Sequence, residues 1–277
     1  VQYANAALKV TATGLSSGEV AERAFTDAAI VISANTNWSA ITTGSGVGGQ
    51  PTAADTIVVN NGVTLTIDVA NAVAGGVTLG NNTAGTATLT FSGSNRKAVF
   101  NTLVNSGTAN VNISSTNIVC LGDSTNFTYS GTIGPNASAG VLLKAGTGAM
   151  TLTGTSTFAG TVGVGQGTLT LSGASGTMTS AAFTVNHDGK FILDNTTNVV
   201  TNRISTTNNL TMSGGEFVLQ GGTGALYANL GVLLVESADS TVTVIPGSGG
   251  AVANFASITR NSGATVRFRG TNLGSAT

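Results

Sequence analysis

The chain is written in short runs in which apolar and small polar residues alternate. The clearest are Ala87-Thr-Leu-Thr-Phe91, Ala109-Asn-Val-Asn-Ile113, Met150-Thr-Leu152, Leu169-Thr-Leu171, Phe191-Ile-Leu193 and Phe217-Val-Leu219. A period of two turns Leu, Val and Phe to one side of a strand and Thr, Ser and Asn to the other. Each run has its apolar residues two and four places after a glycine: Gly85, Gly107, Gly148, Gly167, Gly189 and Gly215. These glycines lie 19 to 26 residues apart, except for one gap of 41, where Phe127-Thr-Tyr-Ser-Gly131 supplies the missing strand. Ser257-Ile-Thr-Arg260 and Thr265-Val-Arg-Phe268 continue the pattern with a slip of phase. A repeat of this length suits one coil of a parallel β-helix, two or three short strands joined by tight turns. The pattern therefore predicts an all-β, single-stranded β-solenoid of about ten to twelve coils over residues 36–277.

One stretch carries the unit twice. Lys144-Ala-Gly-Thr-Gly-Ala-Met-Thr-Leu-Thr-Gly154 is followed by Phe158, by Gly160-Thr161, and by Gly167-Thr-Leu-Thr-Leu-Ser-Gly173. Over about 28 residues it resembles the autotransporter-associated β-strand repeat of bacterial secreted and surface proteins. The matching positions are Lys144, Gly146, Gly148, Met150, Leu152, Gly154, Phe158, Gly160, Thr161, Gly167, Leu169 and Leu171. Met150 stands where the pattern has leucine. The resemblance implies a β-solenoid on the bacterial cell exterior and no particular chemistry.

Residues 1–35 read differently. Leu8-Lys-Val-Thr-Ala-Thr13 alternates as a strand, whereas Ser16-Ser-Gly-Glu19 resembles a capping box ahead of Val20, Ala21, Ala24, Phe25 and Ala28 at helical spacing, which predicts a short helix. Such a segment would cap its own stack or dock on the far end of the next subunit. Trp38 is then expected to plug the end of the narrow core or to stack on a sugar, and Pro51 and Asp55 to set the turn before the strand Thr56-Ile-Val-Val59.

Composition narrows the function. Only 8% of residues are charged and the net charge is −1, which gives no basic face for nucleic acid. Arg260, Arg267 and Arg269 alternate along one stretch and read as a solvated face. No apolar run reaches the ~20 residues of a membrane helix, so no membrane insertion is expected. Cys120, the single cysteine, lies in an apolar run and reads as a buried strand thiol, leaving no disulfide within the chain. A start at Val1 suggests that a leader has been removed and that the protein is exported.

A polysaccharide-active site would need carboxylates converging on one face. The only candidates are His187, Asp188, Lys190, Asp194 and Glu216, and Asn186-His-Asp-Gly189 reads first as a turn. No cofactor, metal or catalytic residues are assigned. The Thr-x-Thr runs read as the outward side of strands. The expectation is an extracellular or cell-surface structural protein, not an enzyme, that associates with copies of itself head to tail, with surface glycans as a further candidate partner. Leu8, Val10, Val20 and Phe25 at one end and Val266, Phe268 and Leu273 at the other are the expected interface. A monomeric adhesin-type rod and a polysaccharide-active β-helix enzyme are the alternatives.

Overall fold

The computed structural model describes residues 8–13, 20–25, 29–134, 140–179 and 181–271, with side chains from residue 29 onward. It is a β-solenoid of about ten turns with almost no helix. Every pairing between strands from residue 30 onward is parallel, and each turn stacks on the next at a sequence separation of 19 to 29 residues. The chain visits three faces in a fixed order. The first face begins at Ile30–Ile32 and Thr56–Val59 and ends at Asp239–Ile245 and Thr265–Gly270. The second runs from Thr36–Asn37 and Thr64–Ile67 to Leu226–Leu230 and Ala251–Phe255. The third ends at Leu233–Ser237 and Ile258–Arg260.

Two nine-residue strands, Asn71–Leu79 and Lys97–Asn105, span a corner of the prism and join two faces without a break. Their first halves pair on toward Ile118–Leu121 on the third face. Their second halves continue from Thr56–Val59 on the first face. The first face carries on into Phe127–Tyr129, where the Ser130 N–H donates to Asn105 Oδ1 at 2.7 Å.

The core follows from the alternation. Along the first face the inward row Phe127, Met150, Leu169, Phe191, Phe217, Val242 is set by strand register, and a second row is Tyr129, Leu152, Leu171, Leu193, Leu219, Val244. Phe183 stacks on Phe191 with centroids 4.5 Å apart, and Phe217 follows at 5.9 Å. Trp38 is buried at the opposite end and stacks on Phe100 at 5.9 Å, so it plugs the core and offers no face to a sugar. Asp55 holds the turn before its strand. Buried, it accepts from Ser45 N–H and Oγ and from Thr52 N–H and Oγ1 at 2.7 to 3.1 Å. Burial raises its pKa, and these hydrogen bonds outweigh that and leave it below the usual carboxylate range.

Polar side chains tie the turns where strands give way to corners. The buried Lys144 ammonium donates to the carbonyls of Ala145, Gly146 and Gln166 at 2.5, 2.8 and 3.2 Å, the last from the next turn. Arg203, 1% exposed, donates to Asn195 Oδ1 and to the carbonyls of Gly176, Gly173 and Asn198. It braces a turn in which the second face is reduced to a single bridge, Met178 to Ile204.

Two expectations are corrected. Val20–Phe25 is a strand paired antiparallel with Leu8–Thr13, not a helix. Six residues containing Val and Phe are too few to hold an isolated helix, for which about 12 to 15 are marginal, and the alternating Leu8–Thr13 strand satisfies their backbone groups instead. Residues 14–19 and 26–28 lie outside the described residues. Cys120 is on its strand as expected, but it takes the outward, half-buried position between inward Val119 and Leu121. Partial burial raises its thiol pKa against the pull of Lys97 and Lys144.

Candidate functional site at the C-terminal end

The two ends of the solenoid differ. At the N-terminal end the inward residues of the first rung, Ile30 and Ile32, are 7% and 6% exposed. At the other end Phe268 continues the inward row of Phe217 and Val242, and Ile258 that of Leu233, yet they are 43% and 51% exposed because no described turn covers them. Val266 continues the row of Ser240 and packs on the core edge. Ala251–Phe255, Ile258–Arg260 and Thr265–Gly270 each have a strand neighbour on one side only among the described residues. Among the described residues, one side of each of these three strands therefore has no ladder partner, at the edge of the apolar core.

Between these strands lies an open groove of about 730 Å³, lined by Tyr227, Val244, Pro246, Phe255, Ile258 and Phe268 among others. Tyr227 and Val252 are register neighbours on the second face and are 64% and 46% exposed. Of the expected interface residues, Phe268 lines this groove, Val266 lies two places before it on the same strand, and Leu273 lies outside the described residues. Sequence reasoning missed Phe255, Ile258 and Tyr227. They sit on three different strands and become neighbours only because the turns stack, although the alternation of Ala251-Val-Ala-Asn-Phe255 marks its strand.

Leu8, Val10, Val20 and Phe25 fall on the antiparallel pair, which joins none of the solenoid sheets. Register sets Leu8 opposite Phe25, Val10 opposite Arg23 and Thr13 opposite Val20.

The acid and base residues considered for catalysis are paired with one another or held by neighbouring hydroxyls. Lys190 and Glu216 are register partners with Nζ and Oε2 3.0 Å apart, and Glu216 also accepts from Thr243 Oγ1 at 2.8 Å. Asp194, at the far end of the same strand as Lys190, accepts from Ser172 and Thr196. In both carboxyls burial raises the pKa, and donated hydrogen bonds outweigh it and leave the net shift downward. Asp188 occupies a turn at φ 66° and pairs with the exposed His187 at 2.9 Å. Neither Asp194 nor Glu216 is tuned as a general acid, which needs a raised pKa. Among the described residues no three His, Cys, Asp or Glu side chains gather as a metal site requires. No described helix is long and apolar enough to cross a membrane.

Comparison with protein-family models, with curated proteins and with solved structures found no match to this chain.

Proposed function

We propose that the protein is a structural subunit of the bacterial cell exterior that associates end to end into a fibre or surface layer. The observation that carries this reading is the asymmetry of the ends. One end has a buried first rung and a separate strand pair before it; the other presents three strand edges around an apolar groove. A contact between two different surfaces of the same chain is heterologous, and it yields filaments when the rotation does not close. The almost uncharged Thr, Ser and Asn exterior lets rods lie side by side without strong repulsion. The resemblance of residues 144–171 to a repeat of secreted and surface proteins supports the exterior location. Leu8, Val10, Val20 and Phe25 form the donor side in this reading, and Val266, Phe268 and Leu273 belong to the receiving side.

Negative-stain electron microscopy of the whole chain, with and without residues 1–35, tests it. About ten turns at a rung spacing of ~4.8 Å make each copy roughly 50 Å long, so filaments should show an axial repeat near that length. Filaments lost on deletion of residues 1–35 are the expected result. Separate rods of that length in both samples would overturn the reading and leave a monomeric adhesin.

A further inference from the structure

The side of the rod carries a second unusual surface, on the third face. This face runs for nine strands, from the first halves of Asn71–Leu79 and Lys97–Asn105 through Ile118–Leu121, Val141–Lys144 and Thr161–Val164 to Ile258–Arg260. On the second face an outward row reads Asn37, Thr66, Thr90, and on the first face an outward row includes Lys190 and Glu216. On the third face one outward row reads Val73, Val99, Cys120, Leu143, and the row beside it carries Ile118 and Val141. All six are half-buried, and no described strand lies over them. The alternation that marks the rest of the solenoid fails here, because Ile118-Val-Cys-Leu121 and Val141-Leu-Leu143 are unbroken apolar runs. A strand solvated on one side alternates, whereas a strand covered on both sides reads as a continuous apolar run.

We infer that this face packs against the third face of a second copy, about a two-fold axis parallel to the rod. The side contact adds to the end contact proposed above and does not depend on it. Spacing selects a second copy as the occupant. The outward rows repeat every ~4.8 Å along the axis, and another solenoid has the same pitch, so the side chains of two such faces interdigitate over their whole length with the sheets ~10 Å apart. Leu143 lies across Gly163, where a Cβ would stand 3.1 Å from its Cδ1, so no side chain of that next rung holds a partner away. Charge agrees. Along the row from Val73 to Thr259, and beside it from Asn71 to Ala182, the only charged residue is Lys97, whose stem can carry its ammonium out past the start of its strand. An apolar centre with an uncharged rim is how an interface between protein subunits is built. Area agrees too. A two-fold parallel to the rod sets each rung against its own copy, so the apolar centres meet and the whole face overlaps. Nine strands at ~4.8 Å, each four residues long at ~3.3 Å, give roughly 560 Å² per copy and about 1,100 Å² for the pair, above the ~1,000 Å² that a specific contact should clear.

Cys120 tests this in the whole chain, because it is the single thiol and sits inside the patch, so its rate of maleimide labelling reports what covers this face. Labelling should slow about tenfold as the protein is raised from about 1 µM to about 200 µM, the range in which a contact of this modest area forms. Contacts between the ends leave the side of the rod open and do not slow it. Leu143→Lys sets like charges against each other across the contact and should abolish the slowing, whereas Thr66→Lys on the second face should preserve it. Circular dichroism melts show whether each variant is folded, and the concentration dependence of the unaltered chain decides the matter even if Leu143→Lys is not. Labelling that is fast at every concentration leaves the face open, and labelling that is slow at every concentration means that the chain covers the face itself; either result overturns the side contact. Electron microscopy separates this contact from the other. Single filaments with fast labelling keep the end contact and refute the side contact, and paired short rods with slowed labelling do the reverse.

Discussion

Phe191 and Phe268 occupy the same inward row of the first face, three rungs apart in a continuous register, so alanine at each isolates what the stack contributes. Phe191 is fully buried and packs on Phe183 at 4.5 Å and Phe217 at 5.9 Å. Phe191→Ala removes a buried ring and leaves a cavity that the flanking turns, pinned by their own ladders, fill poorly; a loss of about 4 kcal/mol is expected. Phe268 is 43% exposed and has a described turn on one side only. Phe268→Ala forfeits about half the burial and creates no enclosed cavity, so roughly 1 kcal/mol is expected. In a solenoid each turn contacts only its neighbours, so the loss at Phe191 should be local. Native-state hydrogen exchange reads this directly: amides of Gly167–Leu171, Gly189–Asp194 and Glu216–Gln220 should lose protection, and those of Thr64–Ile67 should not. Equal costs at the two positions, or a loss spread evenly from end to end, would refute the account of a continuous core with one open end.

Two other outcomes are expected. Arg203→Leu should destabilise the turn around Ile204 by about 3 kcal/mol, because Asn195 and the carbonyls of Gly173 and Gly176 lose a buried donor; limited proteolysis should then cut first within residues 196–209. Acid should weaken the protein in a defined window. Asp55, Asp68, Asp194 and Glu216 all have pKa values lowered by donated hydrogen bonds that outweigh burial. Their contribution is therefore complete above the ordinary values of 3.8 and 4.5 and is lost as pH falls through the lower folded values. Melting temperatures measured from pH 7 to pH 2 should hold to about pH 5 and then drop, and a flat profile would contradict these bonds.

The solenoid was legible because its signal is local and repeated. Thr168, Leu169, Thr170 and Leu171 each face in or out by strand geometry alone, and the glycines mark corners where a side chain cannot fit. At Gly146, with φ 66°, a Cβ would stand 2.3 Å from the Asp123 carbonyl of the preceding turn. At Gly160 it would stand 2.1 Å from that of Gly140. What sequence could not give was anything decided by which turn lies above which. The helical spacing of Val20, Ala21, Ala24 and Phe25 was overridden by a partner strand seven places upstream. Cys120 sits in an apolar run whose register turns it outward. The carbonyl cage of Arg203 draws on residues up to 30 positions away, and the groove assembles from five strands that are spread over some 45 residues of sequence.

The stacking of the turns has a mechanical consequence. Pulled along its axis, the solenoid loads the hydrogen bonds between rungs directly, and the rungs peel away singly from the weaker end. A rung occupies about 4.8 Å when stacked, whereas the 19 to 29 residues wound into it reach roughly 65 to 100 Å when drawn out. Each failure thus releases many times the length it had held. The rod yields under load by letting out chain and keeps its remaining turns intact.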